Sequence, residues 1–249
     1  NEDNVDLNRN FLIAGDKYQG SPPKYPDLDP MLNPDRAPRG MSVFKARAFY
    51  HIVRHGMPAL KNAVAGGQYD YPKGLFYGGD GPSATLRLLE RNLPRWIGQA
   101  SRAIHVDFHT GLGRAATYKL LVDHAWGSPM VAELGEIFGA DVVEPWEPKK
   151  GVSYEIRGGI GTWCKAMFPK TEYDVVTAEF GTVNVIKVIE ALHHENRAHH
   201  YGEPGTVPYE SAKKELMASF SPDKKAWRDT VVPAGVTIVQ QAMDAIYGS

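Results

Sequence analysis

The sequence predicts an α/β protein in which a mainly parallel sheet is covered by helices on both faces. Runs with the period-two alternation of a β-strand alternate along the chain with runs spaced as in an amphipathic helix. The chain has 249 residues, of which 43% are apolar, and this is enough to bury a sizeable core. No internal repeat or low-complexity tract interrupts the pattern.

The N-terminal part of the chain is predicted to be rich in loops. Six prolines lie between residues 12 and 40 among Asp, Asn and Gly, a mixture that fixes turns and excludes regular structure, so we predict a long ordered loop or a surface excursion there. From Ser42 to about Ala65 the apolar residues recur at helical spacing, with a kink expected where Gly56 and Pro58 interrupt them. Residues 66–81 are rich in glycine and are predicted to form a second loop.

Helices and strands are predicted to alternate through the rest of the chain. Ser83 is positioned to cap a helix that runs to about Asn92. Strands are predicted at residues 102–109, 117–122 and 173–180, and helices at 128–138, 183–199, 208–219 and 223–247. Gly139 follows one of these helices, as a C-terminal glycine commonly does.

Charge and composition disfavour several classes of partner. Lys and Arg number 28 against 29 Asp and Glu, so a net charge of -1 gives no reason to expect nucleic acid or an anionic membrane. No run approaches the roughly 18 apolar residues of a membrane span, and the N-terminus lacks a signal-like leader. The single cysteine, Cys164, excludes an internal disulfide and permits a reducing compartment, so we expect a cytoplasmic protein.

Two predicted strand ends carry ionisable side chains. In the strand that ends in VDFHTGLG, the period of two sets His105, Asp107 and His109 on one face, with His109 at the strand's C-terminal end. In DVVTAEFGT the same period brings Glu179 to a strand end, ahead of Gly181. Parallel sheets bind ligands beyond the carboxyl ends of their strands, so both residues are candidates for a site. Taken singly, such residues are more often ordinary polar groups, a satisfied histidine at a strand end for His109 and a helix N-terminal carboxylate for Glu179.

The motifs DLNRNF, DFHTGLG and AEFGT, in that order, resemble the zinc carboxypeptidase superfamily with its aspartoacylase and succinylglutamate desuccinylase relatives. The likeness is strongest to a branch known only as a domain of unknown function, through NEDNVDLNRNF, GGQYDYPKGLFYGG, DFHTGLG and EFGT. These landmarks run from residue 1 to 182. The resemblance implies a three-layer α/β/α, carboxypeptidase-like fold in a single catalytic domain over residues 1–249.

The resemblance also implies roles for individual residues. His109 matches the last of three zinc ligands, and Glu179 matches the general base that takes a proton from zinc-bound water. Asn8 and Arg9 match a pair that grips a substrate carboxylate, where a guanidinium can make two parallel hydrogen bonds. Asp6 matches a carboxylate that orients the first zinc-binding histidine. The segment that contains these last three could instead form an Asx-turn with a surface salt bridge.

Two further assignments stay open. Asp107 either orients His109 or only terminates the buried strand. Tyr154 is the candidate for a tyrosine that donates to the substrate and lies between the last ligand and the base in sequence. Both Tyr154 and the nearby Arg157 could also be ordinary loop residues.

The expected metal site is incomplete in this sequence. In the superfamily a His-x-x-Glu pair that precedes the Asn-Arg pair supplies the other two zinc ligands, and such a pair would lie upstream of Asn1. We therefore expect an N-terminally truncated domain that lacks its first strands, two ligands of its one zinc ion and the arginine that polarises the scissile carbonyl. As a fragment it would be inactive.

The complete protein is expected to be a zinc-dependent amide hydrolase. It would act as a peptidase or as an N-acyl amino acid deacylase on a small-molecule or peptide substrate that bears a carboxylate. A different class of function is a non-catalytic module that binds carboxylates without metal. The sequence leaves the oligomeric state open.

Overall fold

Mixed α/β secondary structure confirms the predicted fold class. A computed structural model describes residues 3–38, 44–56, 66–145 and 156–248. Its elements, in chain order, are α1 (Tyr25–Leu32), α2 (Phe44–His55), α3 (Ala84–Ile97), β1 (Arg102–Gly111), β2 (Tyr118–Val122), α4 (Pro129–Phe138), β3 (Val143–Pro145), α5 (Ile160–Met167), β4 (Glu172–Gly181), α6 (Val185–Tyr201), α7 (Val207–Phe220) and α8 (Lys225–Tyr247). A short 3-10 turn, Leu7–Arg9, precedes them.

The chain divides into two compact units. The first unit contains Asn1–Gln99, Tyr154–Phe168 and Glu190–Lys214, and the second contains Ala100–Ser153, Pro169–Ile189 and Glu215–Ser249. The sheet belongs to the second unit. The expectation of a single domain over residues 1–249 stays a prediction.

The four strands form one sheet with the order β1-β4-β2-β3. β1 pairs with β4 in parallel, and β2 pairs with β3 in parallel. β2 and β4 are antiparallel. Two of the three pairings are therefore parallel, as a mainly parallel mixed sheet requires. Helices α4 and α8 contact each other and the edge strands β3 and β1, and the arrangement is consistent with a three-layer α/β/α fold.

Local sequence signals define most element boundaries. The three predicted strands are present, each within two residues of its expected ends. Ser83 caps α3, since its Oγ accepts a hydrogen bond from the amide of Leu86 at 3.1 Å. Ser128 caps α4 in the same way through the amide of Val131. Strand β3 was not predicted, because three residues are too few to show the period-two alternation of a strand.

The prediction that residues 12–40 contain only loop is wrong, because α1 lies within them. Pro26 occupies the first turn of α1, where a backbone amide has no partner inside the helix, so its ring costs no hydrogen bond. Tyr25, Leu28 and Leu32 are almost completely buried. Burial of this apolar face stabilises a helix that its proline content disfavours.

The predicted helix at residues 42–65 is present in part. α2 begins at Phe44 and ends at His55, just before Gly56. The expected kink at Pro58 lies outside the described residues. Across the described ranges, α8 included, no helix is long and apolar enough to cross a membrane.

The second unit has an apolar core between the sheet and two helices. Its buried residues include Leu120, Val122, Val176 and Ala178 from strands, Leu134 and Phe138 from α4, and Trp227, Val231 and Ile238 from α8. The indole nitrogen of Trp227 donates to the carbonyl of Gly181 at 2.8 Å. This bond joins α8 to the C-terminal end of β4, where a candidate site residue lies.

A buried asparagine, Asn10, which is 0% exposed, connects two segments of the first unit. Its Nδ2 donates to the carbonyl oxygens of Gly78 at 2.8 Å and Gly81 at 2.9 Å. Its Oδ1 accepts from the amide of Ser83 at 2.8 Å. One side chain therefore joins the N-terminal segment to the loop that leads into α3.

Candidate functional site

His109 and Glu179 are direct neighbours on paired parallel strands. The register of β1 and β4 sets them opposite each other, two residues before each strand ends. The Nδ1 atom of His109 lies 3.9 Å from Oε2 of Glu179. The convergence that the period of two predicts is therefore present at the C-terminal ends of these strands.

Asp107 contacts the other ring nitrogen of His109. Its Oδ2 lies 2.8 Å from Nε2, which is possible because residues two apart share one face of β1. An ionised carboxylate can only accept a hydrogen bond, so the contact assigns the ring proton to Nε2. Nδ1 is then the ring nitrogen beside Glu179. Of the two readings left open for Asp107, this geometry supports the orienting one.

The two carboxylates beside His109 differ in basicity. Burial raises the pKa of Glu179 above its ordinary value, although a hydrogen bond from the amide of Leu112 at 2.9 Å and the charge of His109 partly lower it. Burial also opposes ionisation of Asp107, but the hydrogen bond from His109 and the charges of His109 and His105 outweigh it and lower its pKa. Glu179 is therefore the stronger base of the pair.

The amide of Leu112 is a site group that sequence reasoning missed. It reaches Glu179 because the loop after β1 passes very close to the end of β4, and a Cβ built on Gly181 would lie 2.0 Å from the carbonyl oxygen of Arg114. Only glycine fits this approach. The glycines of GLG and EFG are the sequence signal that could have indicated it.

Asp6 and Asn8 lie in the first unit, where each side chain accepts a hydrogen bond from a backbone amide. Oδ1 of Asp6 accepts from the amide of Asn8 at 3.0 Å and caps the 3-10 turn, which is the Asx-turn that the sequence left open. Oδ1 of Asn8 accepts from the amide of Ile160 at 3.0 Å, at the first residue of α5. Asn8 thus anchors a helix start.

Arg9 is buried, with 2% of its surface exposed. Its Nη1 donates to the carbonyl of Asn8 at 2.7 Å, and its guanidinium lies over the ring of Phe76. The packing is tight, since a Cβ on Gly67 would lie 2.6 Å from Cδ of Arg9. A substrate carboxylate could reach this guanidinium only if the covering residues moved.

Tyr154, the candidate substrate-contacting tyrosine, lies outside the described residues. Its neighbour Arg157 donates from Nη1 to the carbonyl of Gln19 at 2.8 Å, and its guanidinium lies 4.6 Å from the ring centroid of Tyr69. These contacts hold a loop of the first unit together. They support the reading of Arg157 as an ordinary loop residue.

A cavity of about 750 Å³ lies in the first unit. Its walls include Phe11, Ile13 and Ile156, and its charged residues are Asp16, Lys24 and Arg157. The volume is in the range of small-molecule pockets. All the residues that line it belong to the first unit.

The described residues supply little of a metal site. Among them, no group of three or more His, Cys, Asp or Glu is arranged to hold a metal ion. His109 offers one imidazole nitrogen, whereas protein zinc sites use three or four ligands. Among the described residues, His109 therefore matches one ligand position of such a site. The expected zinc ion, with two ligands upstream of Asn1, stays a prediction.

Comparisons with known proteins give one match. A family model described as "Protein of unknown function (DUF2817)" matches residues 1–234. Comparisons with curated proteins and with solved structures gave no match. The matched range includes Asp6, Asn8 and Arg9 as well as His109 and Glu179.

Proposed function

We propose, from the premise that this chain belongs to the family described as protein of unknown function DUF2817, that it is part of a zinc-dependent amide hydrolase. In this proposal the chain supplies the general base and one metal ligand. One observation carries the proposal, namely the contact of His109 with Glu179 on one side of the imidazole and with Asp107 on the other. Metal-assisted hydrolysis needs a ligand, a base and an orienting carboxylate as separate residues. In this proposal His109 is the ligand, Glu179 is the base and Asp107 is the orienting carboxylate.

Glu179 holds and moves the proton in this proposal. Its Oε1 accepts from the amide of Leu112, so Oε2, the oxygen nearer His109, is the one that takes up a proton. Burial raises its pKa, which makes the carboxylate a better proton acceptor near neutral pH. When bound, zinc would polarise the scissile carbonyl and acidify a water molecule.

The resemblance of DFHTGLG and AEFGT to the zinc carboxypeptidase superfamily supports amide hydrolysis as the reaction class. The substrate would be a peptide or an N-acyl amino acid with a carboxylate for Asn8 and Arg9. The burial of Arg9 means that this contact requires an opening of the first unit. The same burial gives no support to the rival function, a metal-free carboxylate-binding module.

The test uses the native gene product with every segment that it carries. Release of free amine from short peptides and from N-acyl amino acids is measured before chelation, after chelation and after zinc is restored. We expect activity that needs zinc, is lost in His109→Ala and falls by roughly 10²–10⁴-fold in Glu179→Gln. A glutamine can still accept from the amide of Leu112, so the fold should be retained.

The matched controls are His199→Ala and Glu136→Gln, which alter exposed residues of the same types. Both should hydrolyse at close to the unaltered rate. Hydrolysis that persists unchanged in Glu179→Gln, or that chelation does not affect, would overturn the proposed function.

A further inference from the structure

The loop between β1 and β2 is fixed to the end of β4 by hydrogen bonds. The amide of Leu112 donates to Oε1 of Glu179 at 2.9 Å. The amide of Ala116 donates to the carbonyl of Gly181 at 3.1 Å, and the amide of Gly181 donates to the carbonyl of Thr117 at 2.9 Å. All these residues belong to the second unit, so contacts inside that unit determine where the loop lies.

The backbone of this loop is strained. Ala116 has a φ of 58°, in the left-handed region that residues with a Cβ rarely adopt. The carbonyl of Arg114 accepts two hydrogen bonds from Thr117, one from its amide at 3.1 Å and one from its Oγ1 at 2.8 Å. Non-glycine residues persist in this conformation where the surrounding contacts enforce it, and such residues cluster at functional sites. The strain therefore makes the loop a candidate for a functional role.

Arg114 begins this turn, close to the base. Two residues of chain span at most about 7 Å, so the backbone of Arg114 lies near the amide of Leu112 that holds Glu179. The side chain of Arg114 is exposed. Within the described ranges, no hydrogen bond or ion pair involves its guanidinium. The fixed loop thus presents a positive charge at the edge of the sheet where the base lies.

Two other cations that could serve a substrate are engaged elsewhere. Lys119 is directly opposite Glu179 in the register of β2 and β4, but its Nζ donates to the carbonyl of Asp141 at 2.7 Å. Arg9, which the resemblance implies for a substrate carboxylate, is buried. Arg114 is the most exposed of these three residues.

We propose that Arg114 binds a carboxylate of the substrate beside the base Glu179. Ligands of parallel sheets bind beyond the carboxyl ends of the strands, where this loop lies. A guanidinium matches a carboxylate through two parallel hydrogen bonds, and its charge offsets the repulsion between that carboxylate and Glu179. This inference rests on the proposed hydrolase function and makes the substrate acidic close to its scissile amide. The contact requires no opening of the first unit.

The test uses the zinc-loaded native gene product and pairs of substrates that differ only in a carboxylate or a primary amide next to the scissile bond. The unaltered protein should prefer the carboxylate member. Arg114→Ala should lower kcat/KM for that member by roughly 10–100-fold, mainly by raising KM, and should change it little for the amide member. Arg114→Lys should restore the preference only in part, because an ammonium does not reproduce the planar fork.

A second measurement separates binding from turnover. In Glu179→Gln, which should bind substrate without hydrolysing it, isothermal titration measures the affinity for each member of the pair. Adding Arg114→Ala to this variant should weaken binding of the carboxylate member by a similar factor. The matched control is Arg91→Ala, a change at an exposed arginine on α3, which should leave both affinities unchanged. Circular dichroism and thermal melting check the fold of each variant.

The outcomes distinguish this inference from the function on which it rests. If the unaltered protein shows no zinc-dependent hydrolysis, the proposed function fails and this inference fails with it. If hydrolysis is present and Arg114→Ala affects both substrates equally, or neither, this inference alone is overturned. An equal loss together with a lower melting temperature would assign Arg114 to an ion pair within the native protein instead.

Discussion

Asp107 and His109, two positions apart on one face of β1, are joined by a 2.8 Å contact between Oδ2 and Nε2. The carboxylate is an acceptor, so the imidazole donates to it from Nε2. The other ring nitrogen, Nδ1, lies 3.9 Å from Oε2 of the buried base Glu179. Asp107 therefore fixes one proton of His109 on Nε2, and Nδ1 is the ring nitrogen next to Glu179.

We predict that Asp107→Ala removes the tautomer preference of His109. In the unaltered chain at neutral pH, nitrogen-15 NMR should show the proton of His109 on Nε2, because Asp107 accepts it. In Asp107→Ala both tautomers should be populated, as in a solvated imidazole. Asp80→Ala, a change at an exposed aspartate, should have no effect. An unaltered nitrogen spectrum for His109 in Asp107→Ala would remove the orienting role.

We predict that Asn10→Ala lowers the free energy of unfolding by about 3 kcal/mol, because it leaves the carbonyls of Gly78 and Gly81 and the amide of Ser83 without their buried partner. The control is Asn92→Ala, since the Nδ2 of Asn92 donates only to the carbonyl of Leu88 on its own helix. Urea denaturation measures the loss of unfolding free energy in both variants, provided that their m values equal that of the unaltered chain. A similar loss in the two variants would contradict this account of Asn10.

Periodicity explains why much of the second unit could be predicted. The predicted runs 102–109 and 173–180 lie within β1 and β4, each ten residues long, and the shared face of Asp107 and His109 follows from the two-residue period of a strand. Helix α1 could not be predicted, because proline content is a local signal against a helix, and the burial of Leu28 and Leu32 that outweighs it is a property of the folded unit.

Contacts between side chains and distant backbone could not be predicted either. The amide of Leu112 and the carboxylate of Glu179 are 67 positions apart. The glycines of GLG and EFG indicate a close backbone approach, but they do not identify which amide donates. The burial of Arg9 has the same origin, since the close approach of Gly67 depends on how two distant loops pack. The motif around Arg9 identifies a candidate residue for binding a carboxylate, but it does not indicate whether the guanidinium is exposed to solvent.

His193 is a buried histidine whose two ring nitrogens both have partners. Its Nδ1 lies 2.8 Å from the carbonyl of Leu32, and its Nε2 lies 3.3 Å from Nη1 of Arg197. Nδ1 therefore donates and Nε2 accepts, which requires the neutral form. Burial is the main cause that lowers the pKa of His193 to about 4, and the charge of Arg197 lowers it further.

We predict that His193 destabilises the chain as the pH falls from about 6.5 to about 4. In this window the unfolded chain binds a proton at His193 and the folded chain does not, so the stability is fully present above the window and is lost below it. His193→Asn keeps a donor for Leu32 but cannot titrate. The difference in unfolding free energy between the two proteins should therefore change by roughly 2–3 kcal/mol across the window.

Urea denaturation of both proteins at several pH values measures this difference. His199→Asn, a change at an exposed histidine on the same helix, should follow the unaltered chain at every pH. If the curves for His193→Asn and the unaltered chain run parallel from pH 6.5 to 4, His193 does not contribute.

The final prediction concerns zinc and follows from the count of ligands. The 249-residue chain, without any other segment, is expected to bind zinc only weakly at His109 and to show no hydrolytic activity. Zinc affinity reflects the joint donation of three or four pre-organised ligands, and within the described ranges no cluster of three is arranged around His109. One imidazole, even with Asp107 behind it, supplies a single donor.

Equilibrium dialysis followed by metal analysis measures the retained zinc, and isothermal titration measures the affinity. Weak binding should disappear in His109→Ala and persist in His199→Ala. Stoichiometric zinc that survives dialysis and is lost in His109→Ala would show that other residues of this chain complete the site. In that case the chain would hold its metal without help, and the expectation of two further ligands upstream of Asn1 would be wrong.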